Sequence, residues 1–156
     1  MFLMEIVDFR PELAPTFKAL NEAWITTLFA LEPKDREVLD DPQGKIIARG
    51  GQVLFVADTG EIVGCVALMK LGDGGFEVAK MAVADSHKGR GLGRALMAAC
   101  VERARAAGAP RLYLETNSAL APAMALYRGF GFRELTGMKR GPSDYARVDV
   151  WMELSL

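Results

Sequence analysis

Residues 78–94 read VAKMAVADSHKGRGLGR, which joins a strand, a glycine-rich basic turn and a helix. The apolar run that ends at Val83 predicts a strand from Phe76, and helical periodicity begins near Gly91 and continues to about Ala107. One face of this predicted helix is apolar and carries Leu92, Leu96, Met97, Cys100, Val101 and Ala104. This change from strand to helix period predicts a mixed α/β fold.

The turn itself predicts a site for a phosphate group. Its glycines allow the backbone to turn tightly and a ligand to approach the main chain, and the helix that follows begins with N–H groups that have no intrahelical partner. The residues of the turn are Lys88, Gly89, Arg90, Gly91, Leu92, Gly93 and Arg94. The nucleotide-binding P-loop pattern is absent, and the dinucleotide pattern Gly-x-Gly-x-x-Gly fails at Leu96. A solvated basic turn is the alternative.

Before the turn, three strands joined by short loops predict an antiparallel meander. These strands are predicted over Gln52–Asp58, Glu61–Leu71 and Phe76–Val83. An earlier strand is predicted over Phe2–Phe9. A helix from Pro11 follows, with an apolar stripe of Leu13, Phe17, Leu20, Trp24 and Leu28. The charged segment Glu32–Asp41 predicts a short helix and a turn. Asp41-Pro42 then resembles the N-cap and first position of a second helix, which Gly50-Gly51 ends.

After the turn, further strands and one helix complete the chain. Strands are predicted over Arg111–Glu115, Phe132–Leu135 and Arg147–Leu154. A helix capped by Asn117 or Ser118 is predicted to run to about Arg128. Residues 1–156 are therefore expected to form a single domain of about seven mostly antiparallel strands and four helices, in the order β-α-α-β-β-β-α-β-α-β-β.

Composition narrows the function. Nineteen basic and 20 acidic side chains leave a net charge of −1, so neither nucleic-acid nor membrane-surface binding is expected. Cys65 and Cys100 are predicted to be core side chains of a reducing compartment, and with one histidine they offer no metal-ligand spacing. The chain has no signal-peptide pattern, so a cytoplasmic protein is expected, and the choice between monomer and homodimer is open.

Two segments together resemble the GNAT superfamily of N-acetyltransferases. The first is the strand followed by Lys88-Gly89-Arg90-Gly91-Leu92-Gly93, which is similar to the superfamily pattern Gln/Arg-x-x-Gly-x-Gly/Ala, with Lys88 as the departure. The second is Asn117 followed by Ala123–Phe132, which is similar to an Asn block ending in Ala-x-x-Leu-Tyr-x-x-x-Gly-Phe. The resemblance covers roughly residues 55–132 and implies a GNAT-like fold.

The resemblance also implies the ligands. It implies that acetyl-CoA is the co-substrate, with its pyrophosphate on the backbone of residues 88–94 and its pantetheine arm along Met81, Ala82 and Val83 of the preceding strand. Asn117 is expected either to bond the pantetheine or to cap the helix that follows it. No metal is implied, and the second substrate is an amine that the sequence does not identify.

The expected chemistry is direct attack of the amine on the thioester, for which the resemblance implies two catalytic residues. Tyr127 is predicted to donate a proton to the leaving thiolate, and Glu77 to serve as the base, sharing a strand face with Ala79 and Met81. Glu115 is an alternative base, Lys80 is expected to form an ion pair, and the lone histidine, His87, is expected to lie exposed on a loop.

The acceptor side is expected between the first two helices and the 138–146 loop. Candidate acceptor-side residues are Trp24, Phe29, Glu22, Glu32 and Asp35. A non-catalytic module that binds CoA or an acyl-CoA is the alternative function.

Overall fold

The computed structural model describes residues 3–156, which form one seven-stranded sheet flanked by helices on both faces. Phe2 of the predicted first strand lies outside these residues. The strands are β1 (Met4–Asp8), β2 (Gln52–Asp58), β3 (Glu61–Lys70), β4 (Phe76–Val83), β5 (Arg111–Thr116), β6 (Arg133–Glu134) and β7 (Val150–Ser155). The α-helices are α1 (Ala14–Leu28), α2 (Pro33–Asp40), α3 (Pro42–Lys45), α4 (Leu92–Ala106) and α5 (Ala121–Gly129).

The strand order β1-β2-β3-β4-β5-β7-β6 divides the sheet where the chain crosses from β4 to β5. The first four strands form the predicted antiparallel meander, and β7 pairs antiparallel with β5 and β6. Among the strands of the described residues, only β4 and β5 run parallel, and they pair at Phe76 with Leu112 and at Glu77 with Tyr113. Beyond Glu77 the two strands diverge, which opens the middle of the sheet.

The two faces of the sheet support separate hydrophobic cores. One core packs α4 and Met124 of α5 against the side chains of Phe76, Val78 and Leu112, and the other packs α1 and α2 against Val53 and Phe55. Both predicted core cysteines are fully buried, and burial raises the pKa of each thiol to about 12. The thiols therefore stay protonated at neutral pH.

Residues 3–156 contain five α-helices where four were expected, because α2 and α3 are separate helices that meet at Asp41. The Asp41 side chain accepts a hydrogen bond from the Gly44 N–H (2.9 Å) and starts α3 with Pro42, as the sequence predicts. Asp41 itself has non-helical backbone angles (φ −145°, ψ 64°), so α2 ends before it.

The buried stripe of α1 also differs from the prediction. Phe17, Asn21 and Ile25 are fully buried, whereas Leu28 is 59% exposed. Asn21 was not expected in the core. It is accommodated because its Nδ2 donates to the Phe17 carbonyl (3.0 Å), so the buried amide is partnered.

Two boundaries near the C-terminus were predicted wrongly. Helix α5 begins at Ala121 with Leu120 as its N-cap, and neither Asn117 nor Ser118 caps it. Strand β7 begins at Val150 rather than Arg147. Asp149 accounts for part of both differences, because its carboxylate accepts from the Ser118 N–H and hydroxyl (both 2.8 Å) and draws these residues into a loop–loop contact.

Helices α1 and α4 have 15 residues each, and none of the helices in residues 3–156 combines the length and the apolar character that crossing a membrane requires.

Candidate active site

A cavity of about 730 Å³ occupies the opening between β4 and β5. Its walls are β4 from Glu77 to Val83, the glycine-rich turn, the end of β5 with the start of α5, and the residues before β7. Trp24, Leu28 and Phe29, at the end of α1, line another side. The divergence of two parallel strands thus creates a pocket in the middle of the sheet, into which backbone and side chains both project.

A β-bulge at Lys80 determines which side chains of β4 face which side. Ala79 pairs with Ala67 and Ala82 with Cys65, so two residues of β4 stand opposite one of β3. Lys80 has φ +56°, which is rare for a residue with a side chain. The bulge reverses the alternation, so Met81 packs with the α4 core whereas Lys80 contacts α2. The prediction that Glu77 shares a face with Met81 was therefore wrong.

The glycine-rich turn presents unpaired backbone donors. Gly89 (φ +78°) and Gly91 (φ +80°) adopt left-handed conformations, which favour glycine. Among residues 3–156, the N–H groups of residues 89–94 find no acceptor. Lys88, Gly89, Gly91, Leu92 and Gly93 line the cavity, whereas Arg90 and Arg94 are not among its lining residues in the described chain. The positive end of α4 therefore faces the cavity through main-chain groups.

Glu77 lies on the cavity wall with an unusual proton affinity. Burial, and then the negative charge of Glu115, raise the pKa of Glu77 to about 7, although Lys80 opposes the shift. Within the described residues its carboxylate takes part in no hydrogen bond or ion pair. A carboxyl group of this kind exchanges a proton near neutral pH. Glu115, the alternative base, also lines the cavity but accepts hydrogen bonds from Tyr113 (2.8 Å) and Ser143 (2.5 Å).

Tyr127 lines the cavity from α5. Its ring packs at a tilt against Phe132, with 6.1 Å between ring centroids. Burial raises the pKa of Tyr127 to about 12, so the phenol keeps its proton over the whole physiological range. Tyr127 therefore does both: its ring packs in the core, and the residue also lines the cavity.

Asn117 borders the cavity, but its side chain already has partners. Its Nδ2 donates to the Arg147 carbonyl (2.7 Å), and its Oδ1 accepts from the Ala119 N–H (2.8 Å). The side chain thus ties the end of β5 to the segment before β7. It does not cap α5, and the contact with the pantetheine stays a prediction.

His87 is buried, with 9% exposure, and the expectation of an exposed loop histidine was wrong. Its Nε2 lies 2.8 Å from Asp58 Oδ2, and its Nδ1 lies 2.8 Å from the Ser86 hydroxyl. Asp58 ends β2, far from His87 in the chain, so no local pattern indicated the contact. The histidine fastens the start of the glycine-rich turn to the sheet.

Lys80 forms the predicted ion pair, and its partner is the fully buried Asp35, at 2.6 Å. Arg147 contacts the same carboxylate through both terminal nitrogens (2.7 and 2.6 Å). Tyr145 completes the group through its hydroxyl, 3.1 Å from Lys80 Nζ. Sequence reasoning missed Tyr145 and Arg147, because Arg147 and Asp35 are 112 positions apart and only the fold brings them together.

The other acceptor-side candidates divide in two. Trp24 and Phe29 line the cavity, with their rings edge to face at 6.4 Å. Glu22, Glu32 and Asp35 are not among the lining residues of the described chain. Glu32 instead accepts from the Ala146 N–H (2.9 Å) and from Arg147 (3.2 Å), and so holds the loop before β7 against α2.

Comparison with known proteins places these features in a family. An IAA acetyltransferase of Azospirillum brasilense is 40% identical over 90 residues, which is 57% of this chain and 56% of that protein. The uncharacterised N-acetyltransferase YsnE of Bacillus subtilis is 34% identical over 54% of this chain and 59% of its own length. The chain thus matches a little over half the length of each of these relatives.

Among solved structures, a GNAT acetyltransferase of Staphylococcus aureus Mu50 superposes with a TM-score of 0.85 over 98% of this chain and 99% of that one, at 16% identity. The acetyltransferase yncA of Salmonella typhimurium, solved with acetyl-CoA, gives 0.75 over 98% and 94%, at 24% identity. These likenesses show the fold. The sequence profile of the Acetyltransferase (GNAT) family matches residues 13–132, and the chain belongs to that family.

Proposed function

We propose that this protein transfers the acetyl group of acetyl-CoA to a primary amine of a small molecule or peptide by direct attack. One observation carries the proposal: one cavity is bordered by the unpaired main-chain donors of Gly89 and residues 91–93 and by Glu77, a carboxylate without a partner in the described chain. An anionic ligand part fits the first feature, and a reaction that removes a proton fits the second.

The residues present fit acetyl-CoA. The backbone of residues 88–94 would receive its pyrophosphate, and the divergent edge of β4 at Met81, Ala82 and Val83 would pair with its pantetheine arm. Arg94 and Arg90 would add long-range attraction rather than direct contacts from the cavity wall. Asn117 would fix the turn that borders the ligand. When bound, acetyl-CoA supplies an acetyl group activated as a thioester.

The pKa of each predicted catalytic residue suits the role predicted for it. An alkyl ammonium must lose a proton before it can attack, and Glu77 with a pKa of about 7 can accept it near neutral pH. The sulfur that leaves must gain or share a proton, and Tyr127, protonated throughout this range, can donate one. Because the amine attacks directly, this chain needs no nucleophile of its own, and both cysteines lie buried in the core.

The proposal is tested by an acceptor screen over polyamines, amino acids, aminoglycosides and peptide N-termini. Free CoA thiol is measured in steady state, and acetylated product is identified by mass. We expect one class to yield product in equal amount to CoA. Calorimetry with CoA, ATP and NAD runs in parallel. Binding of CoA without product from any class of amine would instead identify a non-catalytic CoA-binding module.

A further inference from the structure

The end of the cavity lined by Glu77, Lys80, Glu115, Tyr145 and Arg147 is called the acceptor end. Its two cationic side chains already form ion pairs. Lys80 and Arg147 both line the cavity, and the ring of Tyr145 lies beside both, 4.4 Å from the ammonium and 4.5 Å from the guanidinium carbon. Each binds the buried carboxylate of Asp35, which stands behind them with no exposed surface. Both oxygens of Asp35 are engaged, one by both cations and the other by Arg147 and the Glu32 N–H.

The Asp35 contacts are strong enough to hold both cations. Burial alone would raise the pKa of Asp35, but hydrogen bonds from Arg147, Lys80 and the Glu32 N–H outweigh it and lower the pKa to about 2. Asp35 therefore stays ionised under all physiological conditions. The parallel contacts of the Arg147 fork also fix the direction of the guanidinium, as two-point arginine–carboxylate pairs do.

The carboxylates at this end have no such partners. Glu77 and Glu115 line the same cavity, and within residues 3–156 neither forms an ion pair. The hydrogen-bond donors to Glu115 are two neutral hydroxyls, those of Tyr113 and Ser143. The remaining lysine of the cavity wall, Lys88, belongs to the glycine-rich turn and pairs with Asp85 (2.8 Å). Asp35 and Glu32 together balance the charges of Lys80 and Arg147, so the charge left over at this end, that of Glu77 and Glu115, is negative.

We propose that Asp35 is a specificity-determining residue: by binding both Lys80 and Arg147, it removes the cations that would attract a carboxylate, so the acceptor is an amine whose amine-bearing carbon carries no carboxylate. This inference rests on the amine acetylation proposed above. A free α-carboxylate would lie beside Glu77 and Glu115 without a counter-ion, whereas a decarboxylated amine or an amide would not. Specificity of this kind comes from repulsion of the wrong ligand as much as from attraction of the right one.

Matched acceptors of nearly equal shape test the inference in the unaltered protein. Agmatine, arginine amide and arginine form one series, and tyramine, tyrosine amide and tyrosine form another. We expect kcat/KM for the amine and the amide to exceed that for the amino acid by at least tenfold. The amide is the control for size, because it keeps the bulk of the carboxylate and loses its charge. An amide as poor as the amino acid, or an amino acid as good as the amine, overturns the inference.

Binding supplies a readout that does not depend on turnover. Calorimetric titration of the same compounds into protein saturated with CoA should show tighter binding of the amide than of the amino acid by a similar factor. Equal affinities overturn the inference. The proposed function fails in a different way, since then no amine of these series or of the acceptor screen is acetylated, although CoA binds.

Two variants assign the effect to Asp35. In Asp35→Asn, Arg147 and Lys80 lose their counter-charge and become available to an acceptor, so the preference for amide over amino acid should fall by at least tenfold. In Glu37→Gln, also on α2, the lost charge pairs with Lys34 and Lys45 rather than with Lys80 or Arg147, so the preference should persist. An unchanged preference in folded Asp35→Asn removes Asp35 from the explanation. The acceptor series in the unaltered protein decides the charge preference even where Asp35→Asn folds poorly.

Discussion

Two carboxyl groups on the acceptor side have proton affinities shifted in opposite directions. Asp35 is more deeply buried than Glu77, yet its pKa falls to about 2 whereas that of Glu77 rises to about 7. Partners account for the difference, because Asp35 receives hydrogen bonds from two cationic side chains and Glu77 receives none within the described chain. Burial penalises a charge only as far as partners fail to replace water.

At Glu77, this balance predicts that the ionised side chain lowers the stability of the protein while it supports the reaction. Its raised folded-state pKa favours the protonated form, so its contribution to stability is full below about pH 4.5 and is lost as pH rises through 7. Glu77→Gln should therefore increase the free energy of unfolding at pH 8 by about 3 kcal/mol and leave it nearly unchanged at pH 4. Urea denaturation at both values measures this.

The same variant should lower kcat/KM about 100-fold near pH 8, the low end for loss of a general base. The rise of kcat/KM through pH 7 should also disappear. The exposed Glu134→Gln serves as a control and should alter neither stability nor rate. A rate for Glu77→Gln that keeps both its size and its pH profile would remove Glu77 from the mechanism.

At Tyr127, removal of one oxygen separates packing from chemistry. Tyr127→Phe keeps the ring that packs against Phe132, so the dissociation constant for acetyl-CoA should stay within about twofold, while kcat falls by about 10- to 100-fold through loss of the proton donor. Calorimetry and steady-state kinetics give the two values. Equal turnover in both proteins would assign Tyr127 to packing alone.

At the scale of single elements, the start of α4 depends on a conformation that glycine adopts easily. Gly91 has φ +80° with open space where a Cβ would stand, and Gly108, which follows α4, has φ +73° and the same open space. Alanine at either position should cost about 1 kcal/mol of stability through backbone strain alone. In Gly91→Ala, relief of that strain would also turn the unpaired amides away from the cavity.

We therefore expect Gly91→Ala to weaken CoA binding by about tenfold or more, while Gly108→Ala, matched in backbone and in space, binds CoA as the unaltered protein does. Denaturation and calorimetry on the pair give both quantities. Equal CoA affinity in the two variants would show that the turn does not hold the ligand.

The regular elements of this chain were readable from the sequence because their signals are local. Strands β2 and β4 have the predicted bounds, since short turns and apolar runs delimit them. The bulge at Lys80 was not predicted, because nothing in an alternating run marks which residue is the extra one. Arg147 and His87 were misjudged for another reason: their partners, Asp35 and Asp58, lie in distant segments. The sequence thus indicated the glycine-rich turn and an ion pair at Lys80, but neither the bulge nor the distant partners of these side chains.

At the scale of the whole molecule, Asp35 joins α2, β4 and the segment before β7, so its charge contributes to global stability. Its depressed pKa means that this contribution is present above about pH 4 and is lost as pH falls towards 2. We expect about 2 kcal/mol to be lost over that interval. Asp35→Asn, less stable at pH 7, should lose that much less over the same interval. Urea titrations at pH 4 and pH 2 measure both slopes, and parallel slopes would contradict the assignment.

The separation of β4 from β5 after Glu77 leaves the protein with a seam through its centre that its own chain does not close. A ligand that binds between β4 and β5 would contact both halves of the sheet. Ligand binding and folding are therefore coupled. By mass action, acetyl-CoA at 100 times its dissociation constant adds about 2.7 kcal/mol to the folded state. The melting temperature should therefore rise with the logarithm of the acetyl-CoA concentration, so the thermal stability of the protein depends on the supply of this donor.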